Sequence, residues 1–157
     1  MGLRKILTDK EPALHKVCKK VEKFDWRLHK LLDDMKETLI ESGGVGLAAP
    51  QVGILRRVVL VDTGEEIIEL INPELIETDG EQVGPEGCLS VPGKYGLVKR
   101  PYYAKVRAQD RNGDWFEVEG EELIGRCFCH ELDHLDGILY TQIMERFMTE
   151  EELEADE

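Results

Sequence analysis

The sequence predicts an α+β fold in which mainly antiparallel sheets pack around one central helix. Three observations carry this. Apolar residues recur at helical spacing in two stretches, near residues 25–41 and 121–135. Between them lie several short segments rich in β-branched residues and separated by Gly, Pro, Asn and Asp, an order that suits hairpins better than crossover helices. The later helix carries two histidines four apart, His130 and His134, among apolar residues such as Phe128, Leu132 and Leu135 that are spaced like a buried face.

The first of these helices starts at Asp25, a residue type that caps helix N-termini, and runs through Leu28, Leu31, Leu32, Met35, Leu39 and Ile40 until Gly43-Gly44 stops it. Gly44-Val45-Gly46-Leu47-Ala48-Ala49-Pro50-Gln51 then reads as a tight loop where small residues allow a close approach to the backbone. Residues 56–62 and 67–72 read as strands joined through Thr63-Gly64, with Asn72-Pro73 closing the second and a further strand over 74–79. Asp79-Gly80 turns the chain into 85–93, which its glycines and prolines hold irregular or at a sheet edge. Strands near 96–99, 103–110 and 115–119 follow, the last two joined at Asn112-Gly113. After the histidine-bearing helix, a short helix is expected beyond Thr141, with Ile143, Met144, Phe147 and Met148 on its apolar side.

With 157 residues, 41% of them hydrophobic, the chain suits one domain spanning 1–157 with a core of its own. Its net charge of −13 argues against a basic nucleic-acid-binding surface, so no direct contact with nucleic acid is expected. Residues 149–157 are dominated by Glu and Asp and read as a solvated helix end or a frayed tail. No secretory leader and no apolar run of about eighteen residues stands in the sequence. Four cysteines in such a chain fit a reducing cytoplasm, with thiols free to bind metal.

The chemistry concentrates in Cys129-His130-Glu131-Leu132-Asp133-His134. Side chains four apart on a helix stand one turn above the other, so both imidazoles can reach one ion. Glu131 sits beside that ion, where it can exchange a proton with water without ligating. This is the His-Glu-x-x-His pattern of metal hydrolases. A catalytic site of this kind keeps a third protein ligand, and spacing leaves several candidates: Cys127, Cys129, a carboxylate such as Asp136 or Glu145, or the remote Cys88. Cys129 points about 100° away from His130 around the helix and is the poorest of them. His15, His29 and Cys18 read as capping, surface and packed residues.

Three stretches taken together, Gly44 to Gln51, Glu86-Gly87-Cys88-Leu89-Ser90 and His130 to His134, resemble the peptide deformylase family in order and spacing. The resemblance implies a hydrolase that removes the N-formyl group from the initiator methionine of new polypeptides. It makes Cys88, His130 and His134 the metal ligands and Glu131 the general acid and base toward a metal-activated water. Gln51 and the backbone N–H of Leu89 would donate to the formyl oxygen. Gly44, Val45 and Gly46 would line the peptide groove, and Glu86 would brace a ligand. Fe(II) is the expected ion, although a thiolate with two imidazoles also suits Zn(II), Ni(II) or Co(II). The implied partners are N-formylmethionyl nascent peptides near the ribosome, met by a monomer with no membrane contact. At Arg126 the family usually has an aliphatic residue and before the first histidine often a glutamine, where this chain has Cys129. Arg126 is therefore expected at the pocket mouth with its head in water, and Cys127 inside as a small hydrophobe. Two rival classes share the helix motif. A zinc peptidase with a carboxylate ligand would cleave unformylated peptides, and a non-catalytic metal-binding module would bind peptide termini without releasing formate.

Overall fold

In the computed structural model, which describes residues 2–155, the Asp25 side chain accepts from the backbone N–H groups of Arg27 and Leu28 and opens helix α1, Trp26–Ser42. Gly43, at φ 71°, closes it with bonds to the carbonyls of Leu39 and Ile40. The chain then forms β1 (Gly46–Ala48), a 3-10 turn over Ala49–Val52, β2 (Val58–Asp62), β3 (Ile67–Asp79), β4 (Gln82–Cys88), β5 (Val91–Arg100), β6 (Tyr103–Gln109), β7 (Trp115–Glu121) and helix α2 (Leu123–Leu135). A two-residue strand β8 (Arg146–Phe147) and a short helix α3 (Glu150–Ala155) end the described chain. All strand pairs are antiparallel, in a five-stranded sheet ordered β1-β2-β3-β6-β7 and a three-stranded sheet ordered β4-β5-β8.

Strand β2 shows why the layers stack as they do. Val58, Val59, Leu60 and Val61 are all fully buried, and successive side chains on a strand face opposite ways. Val59 and Val61 join Phe128 and Leu135 of α2, with Ala104 and Val106. Val58 and Leu60 join Leu32, Met35 and Leu39 of α1. The five-stranded sheet is thus covered on both faces, α2 on one and α1 on the other. A third cluster of Leu14, Val91, Val98, Leu139 and Tyr140 seats the three-stranded sheet.

Within the expected 44–51 loop the structure forms strand β1 and a 3-10 turn, and it departs from the expected elements in three further places. Residues 67–72 and 74–79 are one strand, because Asn72 adopts φ 52° and the register shifts between Ile71 and Glu74, so Pro73 sits in a bulge where its missing N–H costs no ladder bond. The Asn72 side chain holds this bulge by bonding both the N–H and the carbonyl of Val21. The segment 85–93 lies at a sheet edge as expected where it ends β4, with a register shift between Glu86 and Cys88, but its far end departs by starting the central strand β5. The helix expected after Thr141 is absent. There the N–H groups of Glu145 and Met148 bond the carbonyls of Leu97 and Tyr95, making β8, and Ile143 and Phe147 are exposed.

Candidate active site

On α2 the rings of His130 and His134 lie 4.9 Å apart at 72°, with their Nε2 atoms 3.2 Å from each other. Cys88, at the end of β4, brings Sγ to 3.3 Å from His134 Nε2. These three donor atoms lie within 4.8 Å of one another. No other His, Cys, Asp or Glu among the described residues groups in this way. Asp136 points outward to an ion pair with Arg57 at 3.0 Å. His15 and His29 bond the backbone carbonyls of Asp9 and Arg111 far from this point. The thiols of Cys127 and Cys129 are pushed up by burial, that of Cys129 to about 11, which keeps both protonated and poor ligands.

A buried carboxylate sets the geometry of the first histidine. Glu86 is 4% exposed, and its Oε2 lies 2.6 Å from His130 Nδ1. Arg100 holds the same carboxylate through Nε at 3.0 Å and Nη2 at 2.6 Å and reaches Asp133 at 2.7 Å. Burial alone would push the Glu86 carboxyl up, but the His130 and Arg100 contacts hold it well below the usual carboxylate range. A carboxylate beside Nδ1 keeps a proton on that nitrogen and leaves Nε2 as the nitrogen that faces His134 and Cys88 and would ligate an ion. Burial keeps the His134 ring neutral. Burial opposes the charge on His130, but the Glu131 carboxylate, with Cys88 and Glu86, holds that ring well above its ordinary value. An ion bound here would therefore displace its Nε2 proton and take three donor atoms that already converge inside the protein. The donor set and its spacing fit a divalent ion of the Fe, Co, Ni and Zn group.

Around this point lie the remaining groups. Glu131 is 4% exposed; Oε2 stands 3.8 Å from His130 Nε2 and buried Oε1 has no hydrogen-bond partner among the described residues. Burial pushes its carboxyl up to about 7. The Gln51 carboxamide is oriented by its own loop: Oε1 accepts from Ala48 N–H at 2.9 Å, and Nε2 donates to Ser90 Oγ at 3.1 Å and faces Cys88 Sγ at 3.7 Å. Gly44, Val45 and Gly46 form one wall of a cavity of about 500 Å³, with Leu89 beside Cys88 and Arg126 and Cys127 on the helix side. Gly46 is required there, because a Cβ would lie 2.6 Å from Glu131 Oε2.

Arg126 does not have its head in water. It is 6% exposed, and Nη1 donates to Glu86 Oε1 at 2.9 Å and to the Val98 carbonyl at 3.1 Å, partners that repay the loss of water. Arg100, Asp133 and Ser90, which brace Glu86 and Gln51, were not legible in the sequence. Ser90 and Asp133 lie within the two stretches that carry the resemblance, which points toward the site without showing their contacts, whereas no local signal marks Arg100.

The sequence profile of the polypeptide deformylase family matches residues 3–150. The chain belongs to the polypeptide deformylase family. It is 57% identical over 145 residues to the peptide deformylase of Agathobacter rectalis, an alignment covering 92% of each chain. With that of Caldicellulosiruptor bescii it shares 55% identity over 154 residues, 98% of this chain and 93% of the relative. The crystal structure of a peptide deformylase from Legionella pneumophila superposes with a TM-score of 0.89 at 42% identity, covering 91% of this chain and 86% of the other. As a member of this metal-dependent family, the chain is a hydrolase that removes the N-formyl group from nascent polypeptides. No helix of the described residues is long and apolar enough to cross a membrane.

Proposed function

We propose that deformylation by this chain is carried out at the Cys88, His130 and His134 cluster, with Glu131 moving the proton and Gln51 and the Leu89 amide receiving the charge that develops on the formyl oxygen. The observation that carries this is the convergence of three donor atoms within 4.8 Å beside a buried carboxylate oxygen that has no partner of its own. Fe(II) is the ion expected from the family, and Zn(II), Ni(II) and Co(II) suit the same donors. When bound, such an ion supplies a Lewis acid that makes water acidic near neutral pH.

Glu131 takes the proton of the attacking water, its raised carboxyl being matched to that task. As the new C–O bond forms, negative charge grows on the formyl oxygen. Gln51 Nε2, held in place by Ala48 and Ser90, donates to that oxygen together with the Leu89 N–H, each donor being worth roughly 3–4 kcal/mol in comparable sites. Glu131 then returns the proton to the departing nitrogen, the C–N bond breaks, and formate and a free α-amine result. The methionine side chain occupies the cavity between Gly44–Gly46 and the Arg126–Cys127 turn, with the buried stem of Arg126 and the Cys127 thiol as its helix-side wall.

The substrate is a formylated nascent chain met near the ribosome in the cytoplasm by a monomer built as one domain over 1–157. The acidic segment 149–157 takes no part in the chemistry; its last two residues lie outside those described. The deciding experiment is Glu131→Gln. It should keep a full complement of ion while formate release falls by a factor of about 10² or more. Near-native turnover in a metal-replete Glu131→Gln chain would remove Glu131 from the chemistry.

A further inference from the structure

Arg126 and His130 are one turn apart on α2 and grip opposite oxygens of the same carboxylate. Arg126 Nη1 bonds Glu86 Oε1 at 2.9 Å and His130 Nδ1 bonds Glu86 Oε2 at 2.6 Å. The Arg100 fork supplies the second bond to each oxygen, Nε to Oε1 at 3.0 Å and Nη2 to Oε2 at 2.6 Å. Each oxygen of Glu86 thus has two donors, one from β5 and one from α2. Arg100 alone would leave the carboxylate free to tilt about the axis of that fork. The Arg126 contact removes this freedom, and it is itself anchored, because the same Nη1 bonds the Val98 carbonyl of β5 at 3.1 Å. All four side chains, Glu86, Arg100, Arg126 and His130, are less than a tenth exposed, so water cannot replace a lost donor without opening the core.

We infer that Arg126 is a positioning residue of this enzyme: by clipping Glu86 from the turn of α2 preceding His130, it fixes the plane of that carboxylate and hence the direction in which His130 Nε2 faces Cys88 and His134. This rests on the ligand set proposed above. It gives the arginine a function at a position where an aliphatic residue would only line the pocket. Partners of this kind hold a ligating imidazole in its tautomer and orientation, and their loss weakens metal binding by about 10- to 100-fold.

The test uses the full chain loaded anaerobically with Co(II), whose thiolate charge-transfer absorption and d–d bands report the ligands, followed by transfer of the ion to excess chelator. Wild type, Arg126→Leu and Arg126→Lys are compared, with the melting temperature of each metal-free chain. Wild type should bind one ion with a thiolate band; a wild type lacking that band overturns the ligand set itself, before Arg126 is in question. Given the band, Arg126→Leu should lose the ion at least about tenfold faster, with altered d–d bands, and Arg126→Lys, which keeps one donor, should recover part of the difference. Wild-type bands and loss rate in Arg126→Leu, even with a lowered metal-free melting temperature, would make Arg126 merely structural and overturn the inference. Should Arg126→Leu not fold, Arg126→Lys decides: faster loss than wild type upholds it and an unchanged rate overturns it.

Discussion

A Cβ at Gly46 would stand 2.6 Å from Glu131 Oε2 and 2.8 Å from Cys127 Sγ, closer than unbonded atoms tolerate, so Gly46→Ala must displace the carboxylate, the thiol or the strand. A misplacement of about 1 Å in a reacting group costs on the order of 10²-fold in rate. Gly46→Ala is therefore expected to lower kcat/KM for a formyl-Met peptide by at least about tenfold while metal content stays at the wild-type level; formate release and metal analysis check both. The same neighbourhood shows which residues a sequence can expose. His130, Glu131 and His134 are legible because helical periodicity alone places them together. Cys88 is not, since spacing leaves Cys127 and two carboxylates in contention, and only the resemblance singles it out. Arg126 misleads for a physical reason: a long cation normally keeps its head wet, and nothing local in sequence reveals that Glu86, forty positions earlier, will meet it in the core.

Among the elements, those with regular periodicity and clear punctuation were readable. Helix α1 is expected over 25–41 and observed over Trp26–Ser42, and the β6–β7 hairpin turns at Asn112-Gly113 as its residues suggest. What was not readable depended on partners distant in sequence. Pro73 ends a strand by local rules, yet Asn72 is held at positive φ by bonds to Val21 and the strand resumes. The apolar residues after Thr141 have helical spacing, but strand β5 offers carbonyls that capture them as β8. Helix α3 illustrates a weaker, local device. Arg146 pairs with Glu152 at 2.6 Å, and Thr149 and Glu152 bond each other's backbone N–H. Arg146 and the Thr149 backbone lower the Glu152 carboxyl to about 2 from an ordinary 4.5. A carboxyl lowered in the folded state stabilises above its ordinary value and loses that contribution as pH falls toward the folded one. The protection of the Leu153 amide, relative to its intrinsic exchange, should therefore be unchanged from pH 7 to about 5 and fall between about 4.5 and 2. Protection that instead fades on raising the pH across neutrality, after correction for intrinsic exchange, would exclude this carboxylate as the anchor. The pair is solvent-exposed, so global stability should barely respond.

Across the whole molecule, the site exists because two sheets meet over one helix. The five-stranded sheet carries β1 and the Gln51 turn against one side of α2, and the three-stranded sheet brings Cys88 and Glu86 to its buried turn of ligands. Residues 44–51, 86–90 and 130–134 are separated by long stretches of chain and share no local signal, so their convergence is a property of topology. An ion held by Cys88, His130 and His134 would tie β4 to α2 and favour the folded state by mass action. The most direct measurement is formate release from a formyl-Met peptide by protein loaded anaerobically with Fe(II), then stripped by chelator, then reloaded, with wild type and Cys88→Ser side by side and the unformylated peptide as control. Stoichiometric formate from the loaded wild type is expected, abolished by stripping and restored by reloading, with the control peptide intact and Cys88→Ser failing to retain the ion. A metal-replete wild type that leaves the formylated peptide untouched, or a Cys88→Ser chain that binds the ion and turns over as wild type does, would contradict it.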